Sequence, residues 1–215
     1  MIEGIIFDLD DTLLQTKQTK FKALQTAGKQ FYNLDITDEH LLAHWGKPFP
    51  TLMDELFNRV EATDRIIENY MSIVGDFKNQ AYDDALYAVN ILSRSFHLGV
   101  LSSASRRLVT GDLQNSGFHL NTFMYIQSAD DTEVHKPNPE VFQPLLMHFG
   151  EKAISASQLL YVGDMETDYQ ASKGAGMHFV GIARTPAAEK AFASVNAPAL
   201  VTLRDLPAYI EALGA

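Results

Sequence analysis

Five short stretches of the chain are apolar without interruption: Gly4-Ile5-Ile6-Phe7, Leu98-Gly99-Val100-Leu101, Phe123-Met124-Tyr125-Ile126, Leu159-Leu160-Tyr161-Val162 and Phe179-Val180-Gly181-Ile182. A strand with one face in water alternates apolar and polar residues, whereas a strand covered on both faces does not. The five runs therefore predict strands of a parallel sheet. Between the later runs apolar residues recur three or four positions apart, as in Val141, Leu145, Leu146 and Phe149 before Gly150, the period of a helix that stops at a glycine. From Leu98 onward strand and helix alternate, which is the rhythm of a doubly wound α/β domain.

The first connection breaks this rhythm. About ninety residues separate Phe7 from Leu98, where a crossover needs only about a dozen. The excess is patterned as helix throughout: Phe21, Leu24 and Phe31; Leu41 and Trp45; Leu52, Met53, Leu56, Phe57 and Val60; Ile66, Ile67, Tyr70, Met71 and Val74. The chain thus divides into an α/β core, residues 1–14 and 81–215, and a small helical domain, residues 15–80, inserted after the first strand. The helix near Asp83 to Ser95 returns to the core, with Ala85, Leu86, Val89 and Leu92 facing the sheet. Gly46-Lys47-Pro48-Phe49-Pro50 interrupts the insert and is expected to be an exposed loop.

Composition narrows the function. Of 215 residues, 46% are hydrophobic, enough for a substantial core and too many for a disordered chain. No apolar run approaches the roughly 18 residues needed to span a bilayer, and Met1-Ile2-Glu3-Gly4 lacks the basic start of a secretory signal. A soluble, cytoplasmic protein without a membrane partner is expected. The absence of cysteine excludes disulfides, thiolate metal sites and a thiol nucleophile. A net charge of −10 without a basic cluster argues against a nucleic acid polymer as partner.

Polar residues gather where the strands end. The first strand runs into Asp8-Leu9-Asp10-Asp11-Thr12, and residues two apart in extended chain face one side, so Asp8 and Asp10 share a site. Two carboxylates beside an apolar strand are costly unless a cation neutralises them or one keeps its proton. An acidic turn that caps a helix would account for Asp11 or Thr12. It would not account for Ser102-Ser103 and Gly163-Asp164-Met165-Glu166-Thr167-Asp168 after two other strands. All three clusters fall on the carboxyl edge of the sheet, where ligands of open α/β folds bind. A helix starting near Met165 would bring Asp164 and Asp168 together, and an all-oxygen set favours Mg²⁺ over zinc. Lys136, before Pro137-Asn138-Pro139, adds a positive charge. A nucleophilic oxygen, a cation, a lysine and a hydroxyl donor are what phosphoryl transfer requires.

With these four motifs in this order, Asp8-Leu9-Asp10-Asp11-Thr12-Leu13, Val100-Leu101-Ser102-Ser103, Lys136-Pro137-Asn138-Pro139 and Gly163-Asp164-Met165-Glu166-Thr167-Asp168, the chain resembles the haloacid dehalogenase-like phosphohydrolases. Within them it resembles the helical-cap group of phosphoglycolate phosphatases, β-phosphoglucomutases and some nucleotidases. The resemblance implies that Asp8 is a nucleophile forming an aspartyl phosphate and that Asp10 protonates the leaving oxygen and then activates water. It also implies that Ser102, Ser103 and Lys136 hold the substrate. Mg²⁺ would be bound by the Asp8 side chain, the Asp10 carbonyl and Asp164, with Asp168 acting through water or orienting Lys136. The insert would be a cap that excludes water. Two positions depart from the family pattern: Ser103 stands where Asn is frequent, and His135 where Gly commonly precedes the lysine.

The reading is a Mg²⁺-dependent phosphatase for a small phosphomonoester, phosphoglycolate-like or a nucleotide or sugar phosphate. A β-phosphoglucomutase-like phosphotransferase is the main alternative; a dehalogenase, which dispenses with Mg²⁺ and typically lacks the second acid of the first motif, and a noncatalytic binding protein come after it. Lys17, Lys20, His44, Trp45 and Lys47 of the insert are candidate substrate contacts, most of them better explained by packing or a solvated face. Arg106 and Arg107 fit either an anionic ligand or a helix start.

Overall fold

The computed structural model describes residues 1–45, 47 and 49–214. Six parallel strands form one sheet: β1 Gly4–Asp8, β2 His97–Leu101, β3 Phe123–Gln127, β4 Leu159–Gly163, β5 His178–Ile182 and β6 Ala199–Leu200, in the order β3-β2-β1-β4-β5-β6. The first five are the five apolar runs, each extended by one residue. The two-residue β6 has no signal in the sequence, because so short an edge strand needs no apolar run of its own.

Ten α-helices occur among the described residues: α1 Thr16–Tyr32, α2 Asp38–His44, α3 Phe49–Leu56, α4 Thr63–Val74, α5 Asp83–Leu92, α6 Arg106–Asn115, α7 Gln143–Gly150, α8 Glu166–Gly174, α9 Pro186–Ser194 and α10 Leu206–Gly214. The sheet separates two apolar clusters. One gathers Ile5, Phe7 and Leu160 with residues of α5, α6 and α10; the other gathers Ile6, Tyr161 and Phe179 with residues of α7, α8 and α9. Burial on both faces is why the strands read as unbroken apolar runs.

The chain forms two compact units, Met1–Gln15 with Gln80–Ala215, and Thr16–Asn79. The second has its own core of Phe21, Leu24, Leu41, Met53, Phe57 and Ile66. No helix among the described residues is long and apolar enough to cross a membrane.

The structure corrects the sequence reading in several places; Leu86 of α5, for one, is exposed rather than packed on the sheet. Phe49 and Pro50 open α3 rather than lying in a loop; proline is tolerated in a first helical turn, where its missing N–H has no partner to lose. Lys47 is exposed, and Gly46 and Pro48 lie outside the described residues. The helix predicted through Val60 ends at Leu56, because Asn58 and Arg59 adopt φ of 55° and 50° and turn the chain out of the helix. The segment from Val141 to Phe149 is a short 3₁₀ turn, Pro139–Phe142, followed by α7. Pro144 in the first turn of α7 cannot donate to a preceding carbonyl, so one continuous helix does not form.

Candidate active site

Strand order decides where the site forms. It reverses between β1 and β4, so the loops leaving these neighbours diverge and open a crevice at their carboxyl ends. Asp8 ends β1, and Asp164 follows β4 directly. After Asp8 the backbone folds into a tight turn: Leu13 and Leu14 N–H both donate to the Leu9 carbonyl at 3.0 Å, and Asp11 N–H donates to Leu14 at 2.7 Å. Asp11 completes the turn with a left-handed φ of 56°, which aspartate tolerates better than most residues. The turn leaves Asp8 buried and Asp10 half-buried beside it.

Lys136 reaches this point from the loop between β3 and α7. Its Nζ donates to Asp8 Oδ1 at 2.6 Å, to Asp168 Oδ1 at 2.6 Å and to the Tyr161 hydroxyl at 3.2 Å. The ammonium is thereby held between the end of β1, the middle of β4 and the first turn of α8. Asp168 is itself fixed, since its Oδ2 accepts from Met165 N–H at 3.0 Å and closes that first turn. Gly163 makes the approach possible: a Cβ at that position would stand 2.5 Å from Asp168 Oδ2, closer than any side chain allows.

Of the remaining candidates, Ser102 is buried just beyond β2, where its N–H donates to Gln127 O at 3.0 Å and so continues the sheet. Its Oγ accepts from Ala104 N–H at 3.1 Å, a bond that leaves the hydroxyl proton free to donate. Ser103 is exposed, as is His135. Asp8, Asp168 and Lys136 are therefore in direct contact, while Ser103 is not drawn into that hydrogen-bonded cluster.

The electrostatics of the cluster are unbalanced. Burial pushes Asp8 up to about 8; Lys136 pulls it down, and Asp168 and Asp10 push it up again. Asp164 is raised well above the usual carboxylate range by burial, and then by Asp8, Asp168 and Asp11. Burial opposes the charge on Lys136, yet Asp8, Tyr161 and Asp168 outweigh it and hold the ammonium charged. Tyr161 is raised well above 10 by burial, so its phenol is neutral. Several carboxylates thus share one lysine, and burial and mutual repulsion raise Asp8 and Asp164 for want of positive charge.

A divalent cation would supply that charge. No group of three carboxylate, imidazole or thiolate side chains among the described residues is already gathered to hold one. Mg²⁺ does not require such a cage, because it keeps several waters and takes one or two carboxylates. The donors here, all oxygen and in excess negative charge, fit it.

Tyr161 is the member of this cluster that sequence reasoning missed. It lies inside an apolar run that reads only as strand. One signal is present in the sequence, since a buried phenol needs a partner for its hydroxyl; that Tyr161 pairs in register with Ile6, two residues from Asp8 on the same face of β1, is visible only in the assembled sheet. Other candidates are explained by packing. Arg106 opens α6 and clasps the loop after β3 through Asp131 and the Ile126 carbonyl. Lys17 lies over the rings of Phe21 and Trp45, at 5.6 and 5.8 Å. Lys47 pairs with Glu55, and so does His44. Lys20, Trp45 and Lys47 do share one feature, a cavity of about 310 Å³ within the helical unit that Phe49 and Tyr70 also line.

Comparison with known proteins agrees with this geometry. A family model described as haloacid dehalogenase-like hydrolase matches residues 5–182. The chain is 28% identical over 193 residues to pyrophosphatase PpaX of Anoxybacillus flavithermus, covering 86% of this chain and 85% of that protein. It is 23% identical over 192 residues to a phosphoglycolate phosphatase of Yersinia pseudotuberculosis, covering 84% and 81%. A crystal structure from Thermotoga maritima, described as a β-phosphoglucomutase, superposes with a TM-score of 0.84 at 18% identity, covering 98% of this chain and 99% of that one.

Proposed function

The chain belongs to the haloacid dehalogenase-like hydrolases, and on that premise we propose that it is a Mg²⁺-dependent phosphatase acting on a small phosphomonoester through an aspartyl phosphate. The observation that carries the reading is the contact of Lys136 Nζ with both Asp8 and Asp168 at the carboxyl edge of the sheet. It sets a fixed positive charge against a carboxylate that ends the first strand, beside a second carboxylate and a hydroxyl. Two relatives named for phosphate hydrolysis support it.

In this mechanism a carboxylate oxygen of Asp8 attacks phosphorus while Asp10 gives its proton to the departing ester oxygen, so the P–O bond to the alcohol breaks as the bond to Asp8 forms. Asp10, now ionised, takes a proton from water as that water attacks the aspartyl phosphate. The Asp8–phosphorus bond breaks, and inorganic phosphate leaves. Ser102 and Lys136 donate to the phosphoryl oxygens, Asp168 keeps Lys136 aimed, and Ser103 stands at the exposed rim. Mg²⁺, held by the Asp8 side chain, the Asp10 carbonyl and Asp164, with Asp168 acting at most through water, would keep Asp8 ionised and neutralise the phosphoryl oxygens. The helical unit Thr16–Asn79 is assigned the role of a cap that selects the substrate and excludes bulk water.

The test is release of inorganic phosphate from an aryl phosphate, phosphoglycolate, nucleoside monophosphates, hexose phosphates and pyrophosphate, with Mg²⁺ or after exhaustive chelation. Mg²⁺-dependent release from at least one small ester is expected. Full activity after chelation would remove the metal from the mechanism, and transfer of phosphate without net release would make the protein a mutase.

A further inference from the structure

We propose that Tyr161 is a positioning residue for Lys136: its hydroxyl oxygen holds the third N–H of the ammonium and yields it to a phosphoryl oxygen of the substrate. The inference rests on the reading of Lys136 as a group that holds phosphate.

A lysine ammonium has three N–H donors and no acceptor. All three have protein partners here, Asp8 and Asp168 at 2.6 Å each and Tyr161 at 3.2 Å. Lys136 can therefore bond to a phosphoryl oxygen only by giving up one of them. The two carboxylate bonds are short and charge-assisted, while the phenol bond is longer and made to a neutral acceptor, so it is the weakest of the three. The phenol is the partner released at least cost.

The surroundings of Tyr161 suit this exchange. It is fully buried, with its ring edge-on to Phe142 at 4.9 Å, so the hydroxyl cannot swing away. The same hydroxyl lies 3.4 Å from Asp168 Oδ1 and can go on donating there after the ammonium turns, so no buried polar group is left unpaired. Tyr161 thus keeps the ammonium oriented between turnovers, and the bond it forms is subtracted from the affinity for phosphate.

The sign of this effect separates it from ordinary packing. Binding of inorganic phosphate, measured by calorimetry with saturating Mg²⁺, should be about twofold to tenfold tighter in Tyr161→Phe, the equivalent of one net neutral hydrogen bond no longer exchanged. KM for an aryl phosphate should fall by the same factor without a rise in kcat. Lys136→Met should weaken phosphate at least about tenfold, and adding Tyr161→Phe to it should change nothing further. Independently of any variant, phosphate titration of the unsubstituted protein should shift the Tyr161 Cζ resonance. Unchanged or weaker phosphate binding in Tyr161→Phe, the same gain in the Lys136→Met background, or an unmoved resonance would overturn the proposal. If Lys136→Met itself bound phosphate as tightly as the unsubstituted protein, the reading of Lys136 would fall instead.

Discussion

Two buried carboxylate–cation clusters lie within the α/β unit, and they are built oppositely. In one, Lys136 is shared by Asp8 and Asp168, with Asp10 close enough to raise Asp8 and with Asp164 itself raised by burial, Asp8 and Asp168. In the other, Asp84 at the start of α5 faces one guanidinium, that of Arg184, at 3.0 Å through both carboxylate oxygens. Asp84 also accepts from the Thr202 hydroxyl at 2.8 Å and the Leu203 N–H at 3.0 Å. Arg184 in turn donates to the Thr12 carbonyl at 2.9 Å, and its Cζ lies over the Tyr82 ring, 3.5 Å from the centroid. Burial pushes Asp84 up, but the bonds from Arg184, Thr202 and Leu203 outweigh it and its pKa ends below the ordinary value. Charge is matched one to one there, and the result is a strut that ties the first-motif turn to the C-terminal segments. At Lys136 negative charge is in excess and the cluster can still take a cation or a phosphoryl group.

Breaking each cluster should therefore damage a different property. The largest effect is expected from Asp8→Asn, which removes the nucleophile: kcat should fall by at least about a thousandfold while the unfolding midpoint holds or rises, because an amide also relieves crowded charge. Substantial residual turnover would exclude Asp8 as nucleophile. Asp84→Ala should do the reverse. It strands Arg184 without its partner and should cost about 3 kcal/mol in a denaturant unfolding series, with kcat per folded molecule nearly unchanged. A loss under about 1 kcal/mol would mean that the pair is no strut.

The smallest and most discriminating difference is the pH dependence of stability in metal-free buffer. Asp8 binds its proton more tightly in the folded chain than in the unfolded one, so its contribution is complete below its ordinary value of 3.8 and is lost as pH rises towards about 8. Asp84 has a lowered pKa, so its contribution is present above 3.8 and is lost as pH falls below it. Asp8→Asn should flatten the neutral limb of a stability–pH curve and Asp84→Asn the acid limb. Added Mg²⁺ should stabilise more as pH rises, since its binding displaces the Asp8 proton. Parallel curves for both variants would remove the distinction between the clusters.

The sequence was uneven as a guide to these two regions. Asp8, Asp10, Asp164 and Lys136 stood out because each follows a strand or precedes a helix within a short polar motif, and a motif is local. Tyr161 was hidden in an apolar run, and Asp84 and Arg184 in segments that otherwise read as helix packing and loop. Their roles depend on partners elsewhere in the chain: Tyr161 meets Lys136 across 25 positions, and Arg184 meets Asp84 across 100. Nothing at either end of such a pair announces the other.

What the sequence determined by itself is the sheet and its acidic edge. A strand buried on both faces has to be apolar along its length, and the change to Asp or Ser at its end marks where the chain leaves the core. The insertion after the first strand is legible for the same reason, as helical periodicity replaces strand periodicity between Phe7 and Leu98. Only the tertiary structure decided which charges pair, which stay in excess, and that a phenol on β4 supplies the third acceptor to Lys136. Those outcomes follow from strand order and register, which bring Ile6 level with Tyr161 and β1 beside β4. Register is a property of the assembled sheet, because each strand is equally apolar whichever neighbour it takes.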